Sequence, residues 1–199
     1  MDIGLDGGFS EPVRQAQSSF RAIMDAFANP GTVQKFAHLA PAHGLLQGEL
    51  VSTLLTLSDQ DTPIWLSGKL RQTPGMEDFV AFHTGAPLVS ETGHAVFAFA
   101  GAADELPDLD RFNPGTQEYP DRSTTIVLAV TAFAGGDELV IRGPGIRDQR
   151  TISPIGLPRN FVAQWAANRA LFPRGVDLLL VAGGAVMGLP RSTRIAEGQ

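Results

Sequence analysis

The chain has 199 residues, is 43% apolar and 18% charged, and carries a formal net charge of −6. A mean hydropathy of +0.03 and a pI near 5.1 describe a globular chain that buries a core of its own, which excludes a fibre or a disordered tail. Cysteine is absent, so disulfides, thiolate nucleophiles, Cys-ligated zinc and iron–sulfur clusters are excluded together. The acidic balance argues against a broad grip on nucleic acid, and no apolar run is long enough to span a membrane. The opening residues lack the basic-then-apolar layout of a signal peptide, so the expected location is cytoplasmic.

Val13, Ala16, Phe20, Ile23 and Phe27 recur at spacings of 3 and 4 and predict an amphipathic helix, with Ser10 as N-cap and Asn29-Pro30-Gly31 as its stop. A short strand is expected within residues 31–36. Leu46, Leu50, Leu54 and Leu57, flanked by Leu45, Val51 and Leu55, predict a second, largely buried helix over residues 45–57. Residues 63–67 read as a strand opening on Pro63, and residues 76–82 as a short helix. Strands follow at 95–100, 124–132 and 138–142, the second apolar on both faces as in mid-sheet. A helix over 158–171 turns Leu157, Phe161, Val162 and Trp165 inward. Strands at 176–182 and 185–189 are joined by the hairpin dipeptide Gly183-Gly184. Residues 104–122, rich in Asp, Pro and Gly, form a surface excursion. The expected class is α/β: a single domain over residues 1–199, three-layered, with a mixed sheet flanked by helices on both faces.

Familiar catalytic motifs fail. There is no phosphate-binding glycine loop and no nucleophile elbow; Gly143-Pro144-Gly145 fits a tight turn after a strand. Lysine occurs only as Lys35 and Lys69, and Lys69 is the positional candidate for a Schiff base, though an exposed turn explains it better. His38 and His43 read as surface or loop histidines. His83 is the most site-like histidine, its plainer role being a hydrogen bond at a helix end. Asp59 and Asp61 could share a magnesium ion or simply shape the turn before Pro63, and the turn is preferred. Arg191, Ser192, Thr193 and Arg194 combine guanidiniums and hydroxyls suited to an anion. Arg174 is expected at the same end of the C-terminal hairpin, where a subunit interface would use the same groups. No catalytic residue, metal site or cofactor follows from these patterns.

Several strings, taken in order, carry a resemblance. They are Phe9-Ser10-Glu11-Pro12-Val13, Thr56-Leu57-Ser58-Asp59-Gln60-Asp61-Thr62-Pro63-Ile64-Trp65-Leu66 and Phe82-His83-Thr84 with Ala86-Pro87-Leu88-Val89-Ser90. Gly143-Pro144-Gly145-Ile146, Phe172-Pro173 and Pro190-Arg191-Ser192-Thr193 follow. Together they resemble the PhnH family, the H subunit of the bacterial carbon–phosphorus lyase system. The resemblance spans nearly the whole chain and is weakest over residues 104–122. It implies a role in organic phosphonate breakdown: a subunit required for forming alpha-D-ribose 1-methylphosphonate 5-triphosphate from ATP and methylphosphonate, structural rather than catalytic, with the G, I and J subunits as partners. It also implies a homodimer when the subunit is isolated, and a fold like the large domain of pyridoxal-phosphate-dependent transferases without the cofactor. The alternative is a subunit that holds the nucleotide or phosphonate at an arginine-lined anion site.

Overall fold

In the computed structural model, which describes residues 7–198, two sheets, five α-helices and four single-turn 3-10 helices make up the regular structure of the described residues. Helix α1 (Pro12–Ala28) starts where Pro12 suits a first turn. The N-terminus is closed by the side chain of Gln15, whose Oε1 accepts the Glu11 N–H at 3.1 Å, and not by Ser10. The predicted inward face is corrected. Ser19, Ala22, Ile23 and Ala26 are buried, whereas Val13 is 70% exposed and Phe20 49%. The reason is strand β8 (Ala185–Leu189), which runs under the helix. A Cβ at Gly188 would come within 2.7 Å of the Ala26 carbonyl group, so only small residues fit along the contact.

The main sheet has the order β1-β8-β7-β4-β3-β2. Its parallel strands are β2 (Ile64–Leu66), β3 (Phe97–Ala100), β4 (Thr125–Ala129) and β7 (Asp177–Ala182). Strands β8 and β1 (Gln34–Lys35) extend it in antiparallel fashion, so the sheet is mixed as expected. Gly183 and Gly184, both at positive φ, make the two-residue turn between β7 and β8. Burial on both faces accounts for the unbroken apolar run of β4. Val127 and Ala129 face one core with α1, α2 (Gly48–Leu57), α3 (Gly68–Arg71) and α4 (Met76–His83). Ile126 and Leu128 face the other with α5 (Phe161–Ala170).

That second face is not covered by helices alone, as the sequence pattern suggested. A three-stranded antiparallel sheet, β6 (Arg150–Ile152), β5 (Leu139–Arg142) and β9 (Arg194–Glu197), lies there with α5. The 104–122 excursion is likewise anchored, because Leu109 and Phe112 enter the second core beside Trp165. His43 is also not a surface histidine. It is buried and stacked on Phe79 with ring centroids 4.2 Å apart. None of the helices among the described residues is long and apolar enough to cross a membrane.

Candidate functional site

Register decides what becomes of Arg191. Leu178 of β7 pairs with Leu189 of β8, so Asp177 and Arg191 flank the open end of the hairpin. The Asp177 Oδ1 accepts the Arg191 backbone N–H at 2.7 Å and its Nε–H at 3.1 Å, and Oδ2 takes Nη2. Nη1 donates to the Pro120 carbonyl. With both side chains about one-sixth exposed, the guanidinium fork ties hairpin, strand and excursion together. Each of its three guanidinium nitrogens donates within the fold.

The rest of the predicted cluster disperses in the same way. Thr193 is fully buried, and its carbonyl accepts the Trp165 indole N–H at 2.9 Å. Ser192 is half-buried, its carbonyl packed close over Gly143. Arg194 belongs to β9 in the smaller sheet, directly opposite Arg142. Asp59 accepts the Asp61 N–H on Oδ1 at 3.0 Å, while the Thr62 hydroxyl bonds the Asp59 carbonyl at 2.9 Å, so the pair builds a turn. That turn and Arg191 lie at the same edge of the sheet, but β2 and β7 are three strand spacings apart, about 14 Å. His83 lies in a third place, against Phe79 with centroids 4.5 Å apart and under Gly8. No group of three His, Cys, Asp or Glu among the described residues could hold a metal ion.

Arg174 does lie at the end of the hairpin that holds Arg191, as expected, and there a different constellation appears. Gly175 N–H donates to the Pro114 carbonyl at 2.8 Å, and Arg191 holds Pro120, so the 113–122 loop and the 169–176 turn are tied together. Arg122 lies over the Tyr119 ring at 4.1 Å and Arg169 over the Phe172 ring at 4.6 Å. Both rings are about half exposed. Among the described residues no hydrogen bond or ion pair reaches the guanidiniums of Arg122, Arg169 or Arg174. Nε of Arg169 and of Arg174 is buried without an acceptor. Reading the sequence for catalytic motifs missed Tyr119, Arg122, Arg169 and Phe172. The available signal was an aromatic and an arginine three residues apart, occurring twice in turn-forming segments.

Comparison with known proteins gives the chain relatives over nearly its whole length. Residues 7–196 match the family model described as bacterial phosphonate metabolism protein (PhnH). The chain is 47% identical over 189 residues to the alpha-D-ribose 1-methylphosphonate 5-triphosphate synthase subunit PhnH of Rhizobium meliloti (strain 1021), covering 95% of this chain and 94% of the relative. It is 31% identical over 179 residues to the putative C-P lyase subunit protein HtxG of Stutzerimonas stutzeri, covering 90% and 85%. With a family match from Gly7 to Glu197's neighbour Ala196 and a near-full-length relative at this identity, the chain belongs to the PhnH family of bacterial phosphonate metabolism proteins.

Proposed function

We propose that the chain is an accessory subunit of the complex that forms alpha-D-ribose 1-methylphosphonate 5-triphosphate from ATP and methylphosphonate, and that its role is assembly rather than bond making. It docks on the G, I and J subunits in the cytoplasm and forms a homodimer in their absence. It folds as one domain over its whole length. Its sheet corresponds to the large domain of pyridoxal-phosphate-dependent transferases, used here without the cofactor.

One observation carries the reading: Arg191 and Asp59, two of the polar side chains that the sequence singles out, make their bonds within the fold. Arg191 is consumed by Asp177 and Pro120, and Asp59 by its own turn. Lys69 stands on an exposed helical turn with its Nζ 3.2 Å from Glu105, which supports a role without a Schiff base. The naming of the two relatives as subunits supports membership of a multi-subunit complex.

The test is reconstitution. Purified complex given ATP and methylphosphonate should form the ribosyl phosphonate triphosphate, the complex lacking this chain should not, and the chain alone should turn over nothing. Product from the isolated chain, or full product from the complex lacking it, would overturn the proposal.

A further inference from the structure

Among the described residues the guanidiniums of Arg122, Arg169 and Arg174 have no acceptor, and two of them have buried Nε–H groups. The Nε–H groups of Arg169 and Arg174 are covered by this chain itself, so the Nη groups are the donors that a docking partner can reach. Beside them opens a cleft of about 310 Å³ between α5 and the excursion, walled by Leu109, Phe112, Pro114, Ala167 and Leu171. Leu171 and Phe172 stand at its margin, 38% and 52% exposed. Half-exposed aromatic rings, each covered by an arginine, present large contact area at low conformational cost, and Tyr and Arg dominate the energetic centres of protein interfaces.

We infer that this surface, formed by Tyr119, Arg122, Arg169, Leu171, Phe172 and Arg174, is where a sister subunit of the complex docks, through carboxylate side chains set around an uncharged anchor. The inference rests on the accessory-subunit reading above. The carboxylates accept from the Nη groups of the three arginines. The anchor enters the apolar cleft, whose mouth carries Asp108 and Asp110 and so repels a carboxylate there. Charge thereby fixes the orientation in which the partner arrives. The exposed stripe of α1, Val13 with Phe20 and Met24, has no comparable polar demand and serves as the contrast.

The experiment is capture of the co-expressed sister subunits by the tagged full-length chain, read by mass spectrometry. Arg169→Glu, Arg122→Glu and Phe172→Ala are each expected to reduce capture by on the order of tenfold or more. Phe20→Glu should capture as the wild type does. Arg122 lies on the exposed loop, so Arg122→Glu remains informative if Arg169→Glu fails to fold, and thermal melting of each variant separates the two cases. Capture by the wild type should weaken in high salt, as charge-guided docking requires. Arginine variants that capture normally overturn the surface while leaving the subunit reading intact. A wild-type chain that captures no sister subunit brings down both. Unchanged capture, with a tripolyphosphate-induced rise in melting temperature lost in Arg169→Glu, would reassign the surface to a small anion and also overturn the inference.

Discussion

Asn168 and Val176 exchange hydrogen bonds as residues of neighbouring strands do. Asn168 Nδ2–H donates to the Val176 carbonyl at 2.9 Å, and the Val176 N–H donates to Asn168 Oδ1 at 2.8 Å. Both residues are buried, so a side-chain amide closes the 169–176 turn that carries Arg169, Phe172 and Arg174. Asn168→Ala would leave two buried backbone groups unpaired. The expected loss is about 2–4 kcal/mol, read as a lower urea midpoint with an unchanged slope. Asn168→Asp keeps only the acceptor and should recover little of it. A loss under about 0.5 kcal/mol in Asn168→Ala would mean that water replaces the amide and the turn is not closed in this way.

Arg191 and Asp177 form the second such closure, and a double-mutant cycle separates a staple from a ligand site. Each single change to alanine strands a mostly buried charge and should cost about 2–4 kcal/mol, while the double variant should cost clearly less than the sum. Nucleotide should not change the melting temperature of the wild type through Arg191. Stability within about 0.5 kcal/mol of wild type in Arg191→Ala, with lost nucleotide binding, would return this arginine to the anion site that the sequence suggested.

The closeness of α1 to β8 predicts an asymmetry between two glycines. Alanine at Gly188 would press its Cβ to 2.7 Å from the backbone of Ala26, forcing helix and strand apart. Overpacking of this kind should cost about 1–3 kcal/mol by thermal or chemical denaturation. Gly68, at the start of α3, has no atom within 4 Å of an added Cβ, so Gly68→Ala should be neutral or stabilising by about 0.5 kcal/mol. Equal effects at both positions would mean that the helix lifts from the strand at little cost.

The same contact explains what the sequence could and could not convey. The ends of α1 were legible because Pro12 and Asn29-Pro30-Gly31 are local signals. Its buried face was not, because hydropathy weights Val13 and Phe20 above Ala22 and Ala26, whereas a strand approaching this closely selects small side chains. Strands β4, β7 and β8 announced themselves through β-branched and apolar runs joined by a glycine turn. Strand β9 did not, since only Ile195 of its four residues is large and apolar, and its pairing with β5 spans more than 50 intervening residues. Arg174 precedes β7 and Arg191 follows β8, so both belong to one end of the hairpin, but the bonds of Arg191 depend on Asp177, 14 residues away, and on a carbonyl in the excursion. Hydrogen-bond partners set by register leave no local trace in composition.

Asp59 and Asp61 provide the last discrimination, between a metal pair and a turn. In the turn only Asp59 accepts a bond from the backbone, at the Asp61 N–H, and both carboxylates lie toward solvent. Asp59→Ala should therefore cost about 0.5–1.5 kcal/mol, and Asp61→Ala should stay within about 0.5 kcal/mol of wild type. Millimolar magnesium should leave the melting temperature of the isolated wild-type chain unchanged, because among the described residues no third carboxylate or histidine joins the pair. A magnesium-dependent rise that disappears in both variants would instead show the two carboxylates acting as ligands. In that case the end of the sheet before β2, rather than the arginine surface beside β7, would be the place to look for a bound phosphate, since a metal there would supply positive charge beside the turn.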